Sequence, residues 1–357
     1  MRDLAVIIVS TNEAHWLPPC LQSIFEHAGD ASLDVVVVDN DSTDGTRALV
    51  EHDFPGARVV RSANHGFGHA NNRGLLTCDA RYVLFLNPDT EVRDGRFDDL
   101  VRRMDSRPTV GLIGVRQIGP DGEPHPTIRR FPNALRAAGD AFAVERLPDP
   151  ISRLGERCVD MSSYDREQPC DWTSGSFMLV RREALLSAGT LDERFFIYSE
   201  EPDLCLRMKR AGWEIRHVPW MTIVHHAGKA GHKPRIVVQD AYSRLQYARK
   251  HFGPLHRGAY MSAVVGRHLL RAMLGGPDQE ERAARRVTAK AAMWIVLGRL
   301  KPPHGPAPAT ALAAGATNAL PAARVGDSSS DARQPGVDGA DQVRDGGRSA
   351  LPGVTVP

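Results

Sequence analysis

The chain of 357 residues is long enough for a sizeable core, and its 25% charged and 42% hydrophobic side chains are normal for a globular protein. A formal net charge of +2 does not indicate the concentrated basic face that duplex binding needs, so we expect no nucleic-acid partner. The five cysteines are scattered without a C-x-x-C pair, which argues against disulfides and a zinc site and favours a cytoplasmic location.

Strand and helix patterns alternate over the first hundred residues. Continuous apolar, β-branched runs predict buried strands at residues 4–9, 35–38, 59–60 and 82–86. The first run is too short for a signal peptide or a membrane span. The spacing of Leu17, Leu21 and Ile24 predicts a helix after the first strand, and residues 41–50 contain a second helix start. This alternation predicts an α/β fold with a mostly parallel sheet, in which ligands bind beyond the carboxyl ends of the strands.

The middle of the chain is less regular. Residues 110–170 are rich in Pro, Gly and Arg and show no clean period, so no order of elements is predicted there. An apolar run follows at residues 177–180. Residues 199–212 then have the pattern of a helix that Ser199 caps and Gly212 ends.

The C-terminal third changes character twice. Residues 235–301 are predicted to be helical and basic, with two amphipathic stretches, Ala259–Leu274 and Glu281–Leu300. After Lys301 the chain is rich in Pro, Gly, Ala and Asp and poor in large apolar residues, which predicts disorder. We therefore expect three parts: a folded domain, a basic helical region and a tail, at residues 1–230, 231–301 and 302–357.

Polar clusters follow three of the predicted strands. The clusters contain Thr11, Asn12 and Glu13 after the first strand, Asp39 and Asp41 after the second, and Asn87 and Asp89 after the fourth. Taken singly, each cluster is explained by a turn or a helix cap. Together they suit transfer of a group from a nucleoside diphosphate, which needs a divalent cation on the diphosphate and a carboxylate base for the acceptor.

Six segments, taken in order, resemble the family 2 glycosyltransferases, which have the GT-A fold, a mostly parallel, Rossmann-like α/β sheet. The segments are VIIVSTNEAHWLPPCLQSI, VVVVDNDSTDGT, NHGFGHANNRG, YVLFLNPDTEV, WTSGSFMLVRREAL and FFIYSEEPDLCLRMKRAGW. The resemblance covers residues 4–230. Within the family, the chain is similar to bacterial rhamnosyltransferase-like enzymes, which build cell-surface polysaccharides from dTDP-sugars.

The resemblance implies a binding site for a nucleoside-diphosphate sugar donor. It implies that the base and ribose contact Thr11, Asn12, Glu13, Asp39 and Asp41. The family's N-x-G-F-x-x-x-x-N loop, which lies beside the nucleotide, matches Asn64, Gly66, Phe67 and Asn72. The segment that shapes the donor and acceptor pocket matches Trp172, Ser174 and Gly175, although a Trp at the start of a strand is as often a core residue.

The resemblance also implies a divalent cofactor, Mg²⁺ or Mn²⁺. Asn87-Pro88-Asp89 occupies the place of the D-x-D motif that holds this metal against the diphosphate. An amide oxygen at Asn87 can ligate a hard cation but brings no charge, so we expect weaker metal binding and rely on Asp89. His225 matches a late H-x-x-G element in which a His contacts the metal or the diphosphate. Lys229 and Lys233 could neutralise the leaving diphosphate, or could be solvated surface lysines.

The general base implied by the resemblance lies in the segment Ser199-Glu200-Glu201-Pro202-Asp203, which matches the family's E-D-x-D. Its second acidic position is Glu201, with Asp203 as the alternative and Glu200 beside them. Glutamate is about one methylene longer than the more common aspartate, which shifts the base but preserves its chemistry. The reaction implied is direct displacement with inversion, from the donor to a cell-surface glycan or lipid-linked acceptor.

Three other functions were weighed. A catalytically inactive scaffold in polysaccharide assembly is favoured by Asn87 and opposed by the carboxylates at Asp39, Asp89, Glu201 and Asp203. A dinucleotide-binding dehydrogenase is suggested by Gly66-Phe67-Gly68, but the third glycine of G-x-G-x-x-G is missing and the loop follows a later strand. A nucleotidyltransferase would need a Gly-rich, basic loop straight after the first strand, where this chain is acidic.

The basic residues of the predicted helical region suit contact with an anionic inner membrane leaflet. They are Arg257, Arg267, Arg271, Arg282, Arg285, Arg286, Lys290, Arg299 and Lys301. A lipid-linked acceptor would make such a peripheral location useful. A solvated helical face or a dimer contact explains the same pattern equally well.

Overall fold

The eleven strands of the described residues all lie between residues 2 and 225. The computed structural model describes residues 1–226, 234–276 and 279–305. The strands of these residues are, in chain order, β1 (Arg2–Ser10), β2 (Leu33–Asn40), β3 (Ala57–Ser62), β4 (Ala80–Leu86), β5 (Thr90–Asp94), β6 (Val110–Ile118), β7 (Ile128–Arg129), β8 (Gln168–Pro169), β9 (Trp172–Thr173), β10 (Phe177–Arg181) and β11 (Glu214–His225).

Helices connect these strands and continue after the last of them. The α-helices of the described residues are α1 (Leu17–Glu26), α2 (Thr46–Asp53), α3 (Phe67–Leu75), α4 (Phe97–Asp105), α5 (Ala134–Ala141), α6 (Arg182–Ala188), α7 (Glu200–Arg210), α8 (Pro234–His251), α9 (Pro254–Leu274) and α10 (Gln279–Val296). Three short 3₁₀ helices lie at Val144–Arg146, Ile151–Leu154 and Met161–Asp165.

Within the described residues, nine strands form one mixed sheet. Their order is β3-β2-β1-β4-β10-β6-β11-β5, with β8 paired to β11. Six of the nine run in one direction, and β5, β8 and β10 run in the other. The remaining strands, β7 and β9, form a two-stranded antiparallel ribbon. The prediction of a mostly parallel α/β sheet is therefore confirmed.

Both faces of β1 are buried. Leu4, Val6 and Ile8 belong to one apolar cluster, and Ala5 and Ile7 belong to a second. Successive strand residues point to opposite faces, so a strand that is covered on both faces needs a continuous apolar run. Full burial of each large aliphatic side chain contributes about 1.5–3 kcal/mol to folding. This core fixes the position of the polar loop that follows β1.

Two local predictions need correction. The N-x-G-F segment was treated as a loop, but Phe67–Leu75 is a helix. Its buried side includes Gly74, where an added Cβ would lie 2.6 Å from Ile7 Cγ2. The helix therefore packs so closely on the sheet that residue 74 has no room for a side chain. Ser199 does not cap α7, because it has a left-handed φ of 74° and its side chain makes no capping hydrogen bond. The irregular stretch 110–170 begins with the buried strand β6.

The C-terminal helices form a third apolar cluster with α5. It includes Ala137 of α5, Leu245 of α8, Val264 of α9 and Ile295 of α10. The Oγ of Ser243 donates to the carbonyl of Ile197 at 2.7 Å, so α8 also contacts the segment before α7. Among the described helices, none is long and apolar enough to cross a membrane. Residues 306–357 of the predicted tail, together with Gly228, Lys229 and Lys233, lie outside the described residues.

Candidate active site

The loops after β1, β2 and β3 are joined by one amide. Asn40 Nδ2 donates to Thr11 Oγ1 at 3.2 Å and to Asn64 Oδ1 at 3.1 Å. These strands are parallel neighbours, so their carboxyl ends meet at one edge of the sheet. The edge carries hydroxyl and amide groups, which can hydrogen-bond to the polar edges of a nucleoside.

The loops after β1 and β2 also hold each other directly. The backbone N–H of Asn12 donates to Ser42 Oγ at 3.1 Å, and the Thr43 N–H donates to Asn12 Oδ1 at 2.7 Å. Asn12 and Asp41 have left-handed φ values of 56° and 65°, which Asn and Asp tolerate best among non-glycine residues. The two loops therefore form one fixed unit.

A cleft of about 240 Å³ opens at this edge, lined by Asp39, Asp41, Ser42, Arg61, Ser62 and Ala63. The Ser42 N–H donates to Asp39 Oδ1 at 3.0 Å, which orients the Asp39 carboxylate. Asp41 is exposed. Arg61, at the end of β3, is not among the predicted site residues, because the polar clusters of the sequence follow the first, second and fourth strands.

Glu13 and Asp89 face each other closely enough to interact electrostatically. Burial, followed by the negative charges of Asp89 and Asp44, raises the pKa of Glu13 to about 7. The loop after β1 thus comes near the loop after β4, as a nucleotide site spanning both loops requires.

Asp89 and His225 form the part of the site that could hold a metal. His225 Nε2 lies 3.4 Å from Asp89 Oδ1, because β5 and β11 pair with Thr90 opposite His225. The backbone N–H of His226 donates to the Asp89 carbonyl at 2.9 Å. The His125 ring lies 6.0 Å from the His225 ring, in the stretch whose sequence showed no period.

The donor set is one carboxylate and one imidazole. No group of three or more His, Cys, Asp or Glu in metal-binding arrangement occurs among residues 1–226, 234–276 and 279–305. An oxygen and a nitrogen ligand suit Mn²⁺, and Mg²⁺ is held by one or two carboxylates plus substrate phosphates. The residues therefore fit a divalent metal that shares its coordination with a diphosphate.

Asn87 links this loop to the turn that precedes β10. Its backbone N–H donates to the Ser176 carbonyl at 3.1 Å, and its own carbonyl accepts from Thr90 Oγ1 at 2.7 Å. Its side-chain amide makes no hydrogen bond within the described part of the chain. That amide stays available to a ligand.

Glu201 lies in the first turn of α7 and contacts the same strand entry. The Gly175 N–H donates to Glu201 Oε1 at 3.2 Å. Burial raises the pKa of Glu201, while the positive charge of Arg129 and the Gly175 hydrogen bond oppose that rise. A half-buried carboxylate with a raised pKa has the properties of a general base.

Glu200 differs from its neighbour. Its side chain is buried, and Oε2 has no hydrogen-bond partner within the described residues. Burial and the nearby charge of Glu201 raise the pKa of Glu200 well above its ordinary value. Of this pair, the carboxyl of Glu200 has the more strongly raised pKa.

Asp203 is held inside the protein. It is fully buried, and its carboxylate contacts His251 Nε2 at 2.7 Å, Lys250 Nζ at 2.6 Å and Arg207 Nε at 2.9 Å. Burial alone would raise the pKa of Asp203, but the His251 hydrogen bond and the charges of Arg207 and Lys250 lower it below its ordinary value. The residue joins α7 to α8 and does not reach the cleft.

Two residues of the N-x-G-F motif support the segment before α7. Asn72 is buried, and its Nδ2 donates to the Leu191 carbonyl at 2.8 Å and to Glu193 Oε1 at 2.9 Å. A Cβ on Gly66 would lie 2.3 Å from the Phe196 carbonyl oxygen, which accepts from the Phe67 N–H at 2.7 Å. Asn64 is the residue of this motif that hydrogen-bonds to Asn40. It thereby joins Thr11, Asn12, Asp39 and Asp41 at the edge of the sheet, a group that we call the nucleotide edge.

The last predicted segment is split between the core and the site. Trp172 is buried in the second apolar cluster, and its Nε1 donates to the Arg130 carbonyl at 3.0 Å. Ser174 Oγ lies 3.1 Å from Ser176 Oγ, beside the Asn87 contact. Gly175 contacts Glu201, as described above. Trp172 is therefore a core residue, and its role in the pocket stays a prediction.

Comparison with known proteins is consistent with this geometry. Residues 5–167 match the family model described as Glycosyl transferase family 2. N-acetylglucosaminyl-diphospho-decaprenol L-rhamnosyltransferase of Mycobacterium tuberculosis is 33% identical over 244 residues, which are 65% of this chain and 78% of that protein. Rhamnosyltransferase WbbL of Escherichia coli is 25% identical over 236 residues, which are 62% of this chain and 83% of that protein.

Solved structures show the fold. Mannosyltransferase PcManGT from Pyrobaculum calidifontis, in complex with GDP-Man and Mn²⁺, matches with a TM-score of 0.50 at 17% identity, over 84% of this chain and 90% of that one. GalNAc-T7 with UDP, GalNAc and Mn²⁺ matches with a TM-score of 0.54 at 14% identity, over 83% of this chain and 56% of that one. Both likenesses support the GT-A fold. The chain belongs to the family 2 glycosyltransferases, and it is a glycosyltransferase similar in sequence to bacterial rhamnosyltransferases.

Proposed function

We propose that the protein is an inverting, metal-assisted transferase that moves a sugar from a nucleoside-diphosphate donor to a lipid-linked or cell-surface glycan acceptor. The observation that carries the proposal is a short path of hydrogen bonds that links Glu201 to the loop of Asp89, where the diphosphate would bind. Glu201 accepts from Gly175, and the adjacent Ser176 accepts from Asn87 in the loop of Asp89. We assign catalysis to residues 1–230, the helical region to residues 231–301 and the tail to residues 302–357.

The nucleoside of the donor would bind at the edge formed by Thr11, Asn12, Asp39, Asp41 and Asn64. Carboxylate and amide oxygens accept from base N–H and ribose hydroxyl groups. The two interlocked loops after β1 and β2 keep these groups in place before the donor arrives. Such preorganisation lowers the entropic cost of binding.

Asp89 and His225 would hold Mg²⁺ or Mn²⁺ together with the donor diphosphate. When bound, the metal neutralises the negative charge that develops on the departing nucleoside diphosphate. The uncharged amide of Asn87 can add an oxygen ligand, but it contributes less to metal affinity than an aspartate would.

Glu201 would act as the general base. It removes the proton of the acceptor hydroxyl, and that oxygen forms a bond to the anomeric carbon of the donor sugar. The bond from this carbon to the diphosphate oxygen breaks on the opposite face, so the configuration inverts and the nucleoside diphosphate leaves. The raised pKa of Glu201 makes it a stronger base than an exposed glutamate.

Rhamnose is the sugar that the names of the relatives favour, and a sugar on a diphospho-polyprenol is the acceptor that the M. tuberculosis relative favours. We propose dTDP-rhamnose as the donor. Such an acceptor lies in a membrane. The exposed apolar residues Leu255, Met273 and Leu274 of α9 suit peripheral contact with the inner leaflet from the cytoplasm. If this helical face is instead solvated or forms a dimer contact, the protein should not sediment with vesicles.

The proposal is tested by thermal shift with dTDP-rhamnose, UDP-glucose, UDP-galactose and GDP-mannose, each with Mn²⁺ and with EDTA. We expect one nucleotide class to raise the melting temperature only with metal. Proton NMR of the product formed from that donor should show an inverted anomeric configuration. No response to any donor would instead indicate an inactive scaffold.

A further inference from the structure

Four arginines from separate parts of the chain lie near one another. We name Arg129 (β7), Arg157, Arg244 (α8) and Arg267 (α9) the arginine cluster. Arg129 and Arg157 form a β-bridge, and Arg244 Nη1 lies 3.2 Å from Glu156 Oε2, next to Arg157 in the chain. Asp240 is shared, with its Oδ2 at 3.0 Å from Arg244 Nε and 3.8 Å from Arg267 Nη2.

Two members of the arginine cluster are poorly neutralised. Arg157 pairs with Glu145, and Arg244 pairs with Glu156 and Asp240. Within the part of the chain that the structure describes, the Arg129 guanidinium has no ion pair or hydrogen bond, and its Nε is shielded from solvent without a partner. Arg267 has only the 3.8 Å contact, and its Nε is likewise unpartnered. Guanidinium groups withdrawn from water without an anion are costly.

Arg129 is the member of the arginine cluster that lies near Glu201. Arg129 pairs with Trp172 across the two-stranded ribbon, and its guanidinium carbon lies 5.3 Å from the centre of the Trp172 ring. Three residues after Trp172, the Gly175 N–H donates to Glu201. The positive charge of Arg129 opposes the rise in the pKa of Glu201, so the two groups interact electrostatically. An anion at Arg129 would therefore be a close neighbour of the acceptor hydroxyl.

The elements that carry the arginine cluster contribute nothing to the nucleotide edge. The donor would be held at the loops after β1, β2, β3 and β4, whereas Arg129 and Arg267 come from β7 and α9. Both arginines are half-buried, unlike the exposed Arg286 on α10. A bilayer headgroup meets exposed side chains first, so the recessed arginines favour a ligand that enters the site.

We propose that Arg129 and Arg267 bind a phosphate of the acceptor, the diphosphate that joins its sugar to a polyprenyl carrier. This inference rests on the proposed function, because it assigns the acceptor side of the same site. The planar guanidinium presents paired N–H donors to phosphate oxygens, a geometry that lysine cannot reproduce. The phosphate would then position the acceptor sugar with its hydroxyl at Glu201.

The test is the binding of farnesyl diphosphate, measured by calorimetry in EDTA so that the metal-dependent donor site stays silent. Wild type is compared with Arg129→Gln, Arg267→Gln and, as a matched control, Arg286→Gln. We expect each of the first two variants to weaken binding at least about tenfold, the range of charge-assisted hydrogen bonds, and the control to bind as wild type. Arg129→Lys, which keeps the charge, should be weakened less than Arg129→Gln.

Unchanged affinity in both Arg129→Gln and Arg267→Gln, or an equal loss in Arg286→Gln, would overturn the inference. Phosphatidylcholine vesicles containing phosphatidylglycerol separate the two sources of phosphate. Arg129→Gln should sediment with them as wild type does, and a loss confined to vesicle binding would overturn the acceptor assignment. If farnesyl diphosphate binds through Arg129 while no nucleotide sugar supports transfer, only the proposed function fails.

Discussion

Gly175 and Glu201 are in direct contact at the proposed base: the Gly175 N–H donates to Glu201 Oε1 at 3.2 Å, and a Cβ on residue 175 would lie 2.6 Å from that oxygen. The absence of a side chain at residue 175 therefore lets the backbone orient the carboxylate. Since the neighbouring residue Ser176 contacts Asn87, the same short segment aligns the base with the loop that carries Asp89.

Gly175→Ala should lower turnover while leaving the fold intact. The new methyl group displaces the flexible end of Glu201, and a misplacement of about 1 Å can cost about a hundredfold in rate. We expect turnover to fall at least about tenfold, with an unchanged melting temperature and unchanged donor affinity. The control is Gly253→Ala, which adds a methyl group in open space and should keep wild-type turnover.

Asp203→Asn should destabilise the protein. The substitution leaves His251, Lys250 and Arg207 without their shared buried carboxylate, and breaking a buried ion pair costs about 3–5 kcal/mol. Urea unfolding checks the free energy, with Glu51→Gln, which breaks an exposed pair with Arg47, as a control that changes it by less than about 1 kcal/mol. Wild-type stability in Asp203→Asn would remove the structural role given to this residue.

Asn87→Asp should strengthen metal-dependent nucleotide binding. One added negative charge beside the cation is worth on the order of 1–4 kcal/mol, so we expect affinity for Mn²⁺ in the presence of nucleotide to rise at least about fivefold. Asp89→Asn should abolish the metal dependence. Titration calorimetry measures both variants, and a metal response that survives in Asp89→Asn would exclude the proposed metal position.

Glu200→Gln should change how stability depends on pH. The folded-state pKa of Glu200 is raised, so between the ordinary glutamate pKa and this raised value the folded chain binds more protons than the unfolded chain. The free energy of unfolding contributed by Glu200 is therefore fully present at low pH and is lost as the pH rises through that interval. The variant lacks this loss and should be more stable than wild type at pH 8.

Urea midpoints across a pH series check this prediction. Wild-type stability should decline with rising pH relative to Glu200→Gln, and the two curves should converge in acid. Parallel curves would show that Glu200 does not hold its proton in the folded state.

Much of the nucleotide edge could be predicted from the sequence. The apolar runs of β1, β2 and β4 are buried on both faces, so each run by itself identifies the segment as a strand. Parallel strands end at the same edge, which is enough to bring Thr11 and Asp39 together without knowing any contact. The same argument covers Asp89, which follows β4 directly.

The roles of Asn72 and Asp203 could not be predicted in this way. Asn72 binds Glu193, 121 residues away, and Asp203 binds His251, 48 residues away in another helix. Nothing local to either motif distinguishes such buried partners from a ligand. Arg129 was missed for a related reason, because its two-residue strand is too short to show a period.

The most direct test of the account is steady-state sugar transfer by Glu201→Gln, compared with Glu183→Gln, an exposed glutamate in the first turn of α6. Removing a general base typically costs about 10²–10⁴ in rate. We predict a fall of that size in Glu201→Gln with unchanged donor affinity, and wild-type turnover in the control. Wild-type turnover in Glu201→Gln would contradict the assignment of the base and the mechanism built on it.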